Sequence, residues 1–183
     1  MIVLKFGGSS VADAACMRQV ASLVDAARPR SPLVVLSAMG KTTNGLFDAA
    51  KAAERGDLTA AMDGQRKLLA AHRKAAEDLF ADGVPEALDA ALTDLFGELE
   101  LLLRGVAMLR ELSPRSMDAV ASLGERLSTR IFGAYVEGAW VDARTVMQTD
   151  AVFGEAAPQV ESCLLYTSPS PRDRTRSRMP SSA

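Results

Sequence analysis

The chain has 183 residues, and 48% of them are apolar, which is typical of a globular protein that buries a core. The 21 Lys and Arg residues nearly balance the 23 Asp and Glu residues, so a net charge of -2 gives no basic field to hold nucleic acid or a membrane surface. No apolar run approaches the roughly 20 residues that a membrane span needs. The two cysteines, Cys16 and Cys163, and the lack of a secretory pattern predict a cytoplasmic protein without disulfides.

The first 40 residues predict a strand, a helix and a second strand. Residues 2–6 (IVLKF) are an apolar run that ends in a glycine turn, and Ser10 is placed to cap a helix over residues 11–27. Residues 33–38 (LVVLSA) form another apolar run, of the kind usually covered on both faces of its sheet. This order of elements predicts that the two strands are parallel.

From residue 44 to about residue 136 the apolar spacing is helical. His72, the only histidine, lies beside Arg73 and Lys74, and we expect it to face solvent. Residues 139–142 predict a return to a strand. The helices are predicted over residues 46–56, 58–80, 85–112 and 115–136, the second and third of them as a long antiparallel pair.

The pattern as a whole predicts an α/β fold: a three-layer sandwich with a mostly parallel sheet and a helical insertion.

The glycine turn after the first strand has residues suited to phosphate binding. Gly7 and Gly8 let the backbone approach an anion closely, and Ser9 follows them toward a helix start. Lys5, near the end of the strand, places a compact cation at the same sheet edge. The alternative is an ordinary tight turn with Lys5 extended into solvent. The polar cluster at residues 37–44 (SAMGKTTN) follows the second strand, so the two loops are expected to converge.

Glu125 lies within a helical pattern, where a solvated carboxylate is the ordinary outcome. One histidine and no cysteine cluster predict no transition-metal site. A Mg²⁺ ion held mainly through a nucleotide would leave no such pattern in the sequence.

These residues belong to four blocks that together resemble the aspartokinases of the amino-acid kinase family, over residues 1–161. Their order and approximate spacing follow the family. The blocks are KFGGSSVA at 5–12, VVLSAMGKTTNGL at 34–46, LGERLS at 123–128 and WVDARTVMQTD at 140–150.

The resemblance implies a transferase that uses ATP to phosphorylate the side-chain carboxylate of L-aspartate, giving 4-phospho-L-aspartate for lysine, threonine and methionine synthesis. It implies that Mg²⁺ is held through the nucleotide and that the parent enzyme is a homo-oligomer. It assigns phosphoryl stabilisation to Lys5, the phosphate cradle to Gly7, Gly8 and Ser9, and contacts with the amino acid to Thr43 and Glu125.

Two departures from the family suggest that the chain is an amino-terminal fragment. The segment between Glu125 and Trp140 is a few residues shorter than expected, and the family's later glycine-rich stretch is absent. Residues 162–183 are rich in Ser, Pro and Arg and resemble a translated sequencing adaptor, so we expect a non-native or disordered tail. We therefore expect residues 1–161 to be part of a kinase domain, and the chain alone to be inactive and unstable as a monomer.

Two alternative functions remain. The chain could be another amino-acid kinase, acting on glutamate or a carbamate, although the TTN and GERLS blocks argue against this. It could instead be a non-catalytic interaction module that binds a partner through the helices of residues 58–112.

Overall fold

A computed structural model describes residues 1–159 of the chain. Strand β1 (Ile2–Phe6) and strand β2 (Pro32–Leu36) pair in parallel along their whole length, and helix α1 (Ala14–Ala27) connects them. The predicted parallel pairing is confirmed. The fold is α/β and rich in helix, with a small two-stranded sheet in the described part of the chain.

One face of the strand pair is open. Val3 and Val35 are 61% and 44% exposed, and Lys5, which lies in register with Val35, is also exposed. The expectation that the second strand is covered on both faces is therefore wrong for residues 1–159. Nothing in this part of the chain buries Val3, Lys5 or Val35 on this face.

The chain leaves β1 through a short 3₁₀ turn, Gly8–Val11, before α1 begins. Asp13 caps α1, because its carboxylate accepts a 2.8 Å hydrogen bond from the Cys16 amide, and this bond lowers the pKa of Asp13. The prediction that Ser10 caps the helix was wrong. The Ser10 amide instead donates to the Gly7 carbonyl and closes the 3₁₀ turn.

The predicted helices are confirmed, with shifts of a few residues at their ends. Gly56, at a φ of +81°, ends α2, and the Asp57 carboxylate caps α3 by accepting from the Ala60 amide. Ser113 caps α5, with Pro114 in the first turn. The helices are α2 (Thr42–Glu54), α3 (Leu58–Leu79), α4 (Glu86–Leu109) and α5 (Pro114–Tyr135).

Helices α3 and α4 run antiparallel, as predicted. Gln65 donates to the Phe96 carbonyl inside the pair, and Arg73 donates to the Thr93 hydroxyl nearer the turn. Apolar side chains from all five helices, α1 to α5, form the core. The largest fully buried apolar side chains are Val11, Met17, Leu46, Leu92, Leu99, Leu103, Val120, Leu123, Leu127 and Ile131.

His72 is in this core, with 0% exposure, so the expectation that it faces solvent was wrong. Successive residues of a helix point about 100° apart, and the charged neighbours Arg73 and Lys74 therefore face water while His72 faces inward.

The strand expected over residues 139–142 does not form. A strand needs a neighbour with which to share backbone hydrogen bonds. Trp140 is instead held to α5 through its side chain: its indole Nε1 donates to the Thr129 hydroxyl at 2.9 Å, and the Arg130 guanidinium lies 3.5 Å from its ring centroid.

Residues Met1–Trp140 form one structural unit, and Val141 begins a second. In the described part of the second unit, a 3₁₀ turn spans Ala143–Thr145 and an isolated antiparallel bridge joins Thr149 to Pro158. Within residues 1–159, none of the helices has the length and apolar character that crossing a membrane requires. The tail predicted over residues 162–183 lies outside the described residues.

Candidate functional site at the ends of the two strands

The loops that follow β1 and β2 interlock. The Ser37 amide donates to the Phe6 carbonyl, and the Gly40 amide donates to the Gly8 carbonyl, both at 3.1 Å. A Cβ atom at Gly8 would lie 2.7 Å from the Ala38 carbonyl oxygen, closer than real Cβ contacts. Glycine is therefore required at this crossing, and the expected convergence of the two loops is confirmed.

The β1 end of the site is accessible. An added Cβ at Gly7 would meet no heavy atom within 4 Å, so an anion could approach the backbone there. Ser9 and Lys5 are exposed, and among the described residues no hydrogen bond or ion pair holds the Lys5 ammonium. The structure places Lys5 on the open face of the sheet, and no hydrogen bond or ion pair joins it to Thr43 or Glu125.

Helix α5 packs directly on the loop of residues 37–41, which we call the β2–α2 loop. A Cβ at Gly124 would lie 2.8 Å from the Ala38 Cβ. The helix can therefore approach the loop this closely only because residue 124 is a glycine. The Ser128 hydroxyl donates to the Ser37 carbonyl at 2.8 Å. The Glu125 Oε1 accepts from the Ala38 amide at 3.3 Å, and no protein donor in residues 1–159 bonds its Oε2. Glu125 is thus half-buried against the loop rather than fully solvated.

The β2–α2 loop ends in a tight local structure at the start of α2. Gly40 adopts a φ of +53°, and the amide and hydroxyl of Thr42 both donate to the Met39 carbonyl, at 3.0 and 2.6 Å. Thr43 follows in the first turn of α2 and is half-buried. Free amides at a helix start carry partial positive charge, so this end of α2 favours an anionic group.

The site therefore combines donors for an anion with an acceptor for a cation. Gly7, Lys5 and the start of α2 supply positive charge or amide donors, and Glu125 supplies a carboxylate. Within residues 1–159, no group of three or more His, Cys, Asp or Glu residues is placed to hold a metal ion.

Some of these contacts could not be assigned from sequence alone. Ser128 and Gly124 of α5 contact the β2–α2 loop, and His72 of α3 lies 3.5 Å from Thr42 just after it. Of these three residues, only the glycine carried a signal in the sequence. A glycine inside a helical pattern lowers helix stability and often marks a close approach of another chain segment.

Two grooves of about 220 and 260 Å³ lie elsewhere in this unit, between α4 and α5 beside Trp140. None of the residues predicted for phosphate or amino-acid binding lines either groove. The candidate site is an open loop cluster rather than a closed cavity.

A protein-family model, described as the amino acid kinase family, matches residues 1–178. The chain therefore belongs to the amino acid kinase family. The matched range extends beyond residue 161, where the sequence predicted the kinase segment to end, and that boundary stays a prediction.

Similar curated proteins are aspartokinases. Aspartokinase 1, chloroplastic, of Arabidopsis thaliana is 42% identical over 144 residues, which cover 78% of this chain and 24% of that protein. Lysine-sensitive aspartokinase 3 of Escherichia coli is 31% identical over 165 residues, covering 87% and 35%. The chain thus spans about a quarter to a third of the length of these relatives.

The fold is also that of solved aspartokinases. Escherichia coli aspartokinase III in complex with lysine and aspartate matches with a TM-score of 0.75 and 30% identity, over 88% of this chain and 36% of that one. The same enzyme in complex with aspartate and ADP matches with a TM-score of 0.70 and 31% identity. The predicted α/β kinase-like fold is confirmed.

Proposed function

We propose that this chain supplies part of the active site of an aspartate kinase, which transfers the γ-phosphoryl group of ATP to the side-chain carboxylate of L-aspartate. The observation that carries the proposal is the contact between Glu125 and the Ala38 amide, because it joins the carboxylate on α5 to the loop that leads to Thr43. The similar aspartokinases, one of them solved with aspartate and ADP, support the same substrates.

In the proposed reaction, an oxygen of the aspartate side chain attacks the γ-phosphorus of ATP. The bond from that phosphorus to the β–γ bridging oxygen breaks, and ADP leaves with the electron pair. The attacking carboxylate is already ionised near neutral pH, so the protein does not need to remove a proton. Alignment of the two substrates and stabilisation of phosphoryl charge are the remaining requirements.

The β1 end of the site would meet these requirements on the ATP side. Gly7, Gly8 and Ser9 would cradle the phosphates, since the open space above Gly7 admits an anion. The Lys5 ammonium would stabilise charge on the transferring group. Mg²⁺ would arrive with the nucleotide and neutralise phosphate charge.

The amino acid would be held from the other side of the loops. The Glu125 carboxylate would accept hydrogen bonds from the aspartate ammonium group, which is the acceptor that an ammonium needs. Thr43 would bond another polar group of the same substrate. A cytoplasmic location and a homo-oligomeric parent enzyme stay predictions. Five similar plant proteins are named chloroplastic.

The proposal can be tested with a chimera. In this protein, residues 1–159 of the chain replace the matching segment of Escherichia coli aspartokinase III. We expect ADP formation that depends on L-aspartate and not on glutamate or carbamate. Turnover with glutamate or carbamate instead would identify a different amino-acid kinase. A folded chimera with no turnover on any of these substrates, beside an active parent enzyme, would contradict the proposal and favour a non-catalytic module.

A further inference from the structure

One peptide group of the β2–α2 loop is held at both of its polar atoms by α5. The Ser37 carbonyl oxygen accepts from the Ser128 hydroxyl at 2.8 Å, and the Ala38 amide of the same peptide donates to the Glu125 Oε1 at 3.3 Å. A peptide group is planar and rigid, so a rotation that breaks one of these hydrogen bonds also displaces the other. The two side chains therefore fix the orientation of this peptide together.

The spacing of the two side chains along α5 suits this arrangement. Glu125 and Ser128 are three residues apart, so they lie on the same face of the helix, about one turn from each other. Gly124 is on the same side and lets this face come close to Ala38. The helix thus presents one acceptor and one donor to the two ends of the peptide.

The Ser128 hydroxyl has the proton that its contact needs. Its single proton has two acceptors within reach, the Ser37 carbonyl at 2.8 Å and the backbone carbonyl of Glu125 at 3.1 Å. The Glu125 carbonyl already accepts from the Thr129 hydroxyl at 2.6 Å. The Ser128 proton therefore serves the nearer acceptor, the Ser37 carbonyl. Ser128 is 0% exposed, so this hydrogen bond is made inside the protein.

We propose that Ser128 is a positioning residue for the substrate ammonium group. It holds the Ser37–Ala38 peptide so that the Ala38 amide occupies one oxygen of Glu125 and leaves the other oxygen for the substrate. The inference rests on the proposed function, since it takes Glu125 as the group that binds the aspartate ammonium. Ser128 does not touch the substrate. Without its hydroxyl, the peptide is free to turn, and the Glu125 carboxylate loses the contact that orients it.

Two matched substitutions on α5 test this role in the chimera described above. Ser128→Ala removes one oxygen atom and leaves Glu125 in place. Ser122→Ala makes the same change on the same helix, but the Ser122 hydroxyl donates to the Ala119 carbonyl of α5 itself, at 2.8 Å, and not to the loop. A difference between the two variants therefore reports the contact with the loop.

Steady-state kinetics give the first comparison. We expect Ser128→Ala to raise the KM for aspartate by about tenfold, with smaller changes in kcat and in the KM for ATP. Ser122→Ala should behave like the unsubstituted chimera. An unchanged KM for aspartate in Ser128→Ala, or an equal rise of both KM values, would overturn the inference.

A double-mutant cycle separates an action through Glu125 from a general loosening of the fold. Glu125→Ala removes both the acceptor of the Ala38 amide and the negative charge. We expect Ser128→Ala to change kcat/KM for aspartate little in the Glu125→Ala chimera, because the link that it breaks is already absent. An equal loss in both backgrounds would mean that Ser128 only stabilises the fold.

Amide hydrogen exchange in the chimera without ligand tests the peptide contact itself. We expect the Ala38 amide to exchange faster by on the order of tenfold in Ser128→Ala than in Ser122→Ala, with the amides of α1 unchanged. No acceleration at Ala38 would show that Ser128 does not hold the peptide. A chimera that never uses aspartate would contradict the proposed function, and exchange at Ala38 would still decide whether Ser128 orients this peptide.

Ser128→Cys serves if Ser128→Ala does not fold. The thiol fills the place of the hydroxyl but is a weaker donor, so the KM for aspartate and the Ala38 exchange should shift in the same direction by a smaller factor. Values equal to those of the unsubstituted chimera would overturn the inference.

Discussion

A lysine at the end of a strand acts on phosphate only when its ammonium can reach the transferring group. Lys5 is exposed and has no protein partner in residues 1–159, so its charge is available to a ligand. We expect Lys5→Ala in the chimera to lower kcat by on the order of 10² or more, because one preorganised charge contact is lost. Thermal stability should change little.

Lys51→Ala is the control for this prediction, since Lys51 is an exposed lysine in the last turn of α2. Near-wild-type turnover in the Lys5→Ala chimera would remove Lys5 from the proposed site.

The charge of Glu125 can be separated from its contact with the loop. Glu125→Gln keeps an oxygen that can accept from the Ala38 amide but removes the negative charge. We expect aspartate binding to weaken by roughly 1.5 to 3 kcal/mol, the range for a hydrogen bond to a charged group, with the KM for ATP nearly unchanged. Steady-state kinetics of the chimera measure both values.

The matched variant is Glu100→Gln, which removes an exposed carboxylate paired with Arg104 on α4. If Glu125→Gln weakens ATP binding and leaves aspartate binding intact, the assignment to the substrate ammonium is wrong.

The stability of the chain should fall as the pH drops below about 6.5, the ordinary pKa of histidine. Burial lowers the pKa of His72 in the folded state, so the unfolded chain takes up the proton first. Above that pH both states are neutral and the stabilisation is complete. Below it the free energy of unfolding falls by up to about 1.4 kcal/mol per pH unit, until the folded state is protonated as well.

Urea unfolding of the chimera at several pH values between about 5 and 7.5 measures this slope, because most carboxylates titrate below that window. His72→Phe keeps a ring in the core and removes the titration, so its stability should be flatter over the same range. An unchanged slope in that variant would show that other groups cause the effect.

At the scale of single elements, the loops that follow β1 and β2 pack so closely that only glycine fits at position 8. Gly8→Ala would place a Cβ 2.7 Å from the backbone oxygen of Ala38, which cannot move without shifting the loop. We expect this variant to lose about 1 to 3 kcal/mol of stability, the usual cost of overpacking. Chemical denaturation of the chimera with and without this substitution measures the loss.

Gly97→Ala is the opposite case. An added Cβ there meets nothing within 4 Å, and Gly97 lies in the interior of α4, so alanine should stabilise the chain by up to about 1 kcal/mol. Equal stabilities of the two variants would show that the loops do not pack as closely as the structure has them.

The elements themselves differed in how far sequence could predict them. The helices have strong apolar periodicity, which is why their positions were confirmed. The caps at Asp57 and Ser113 were found only in the structure. The expected strand over residues 139–142 was wrong because a short apolar run specifies neither its partner nor its pairing. At Trp140 the side chain packs on α5, and no pattern in the local sequence encodes that contact.

At the scale of the whole molecule, the proposed site is open to water. Lys5, Val3 and Val35 lie on the exposed face of the strand pair, where solvent screens charge and weakens phosphoryl stabilisation. We expect the 183-residue chain alone to form no aspartyl phosphate from ATP and aspartate, and the chimera to form it. A colorimetric assay for acyl phosphate compares the two proteins at equal concentration.

The same exposed valines predict that the isolated chain associates or melts without a sharp transition. Thermal unfolding and light scattering test this expectation. Measurable aspartyl phosphate, or a cooperative melt from a monodisperse monomer, would show that residues 1–183 already contain what the fold and the reaction need.

The sequence by itself determined the strand–helix–strand order, the helices and the glycine turn after β1, because these depend on residues that are close along the chain. It also carried the four blocks by which the family resemblance was found. Only the tertiary structure decided that Glu125 bonds the Ala38 amide, that Gly124 lies against the same loop, and that His72 is buried behind Thr42. These contacts join residues 30 to 87 positions apart, and they follow from how the helices pack rather than from any local pattern.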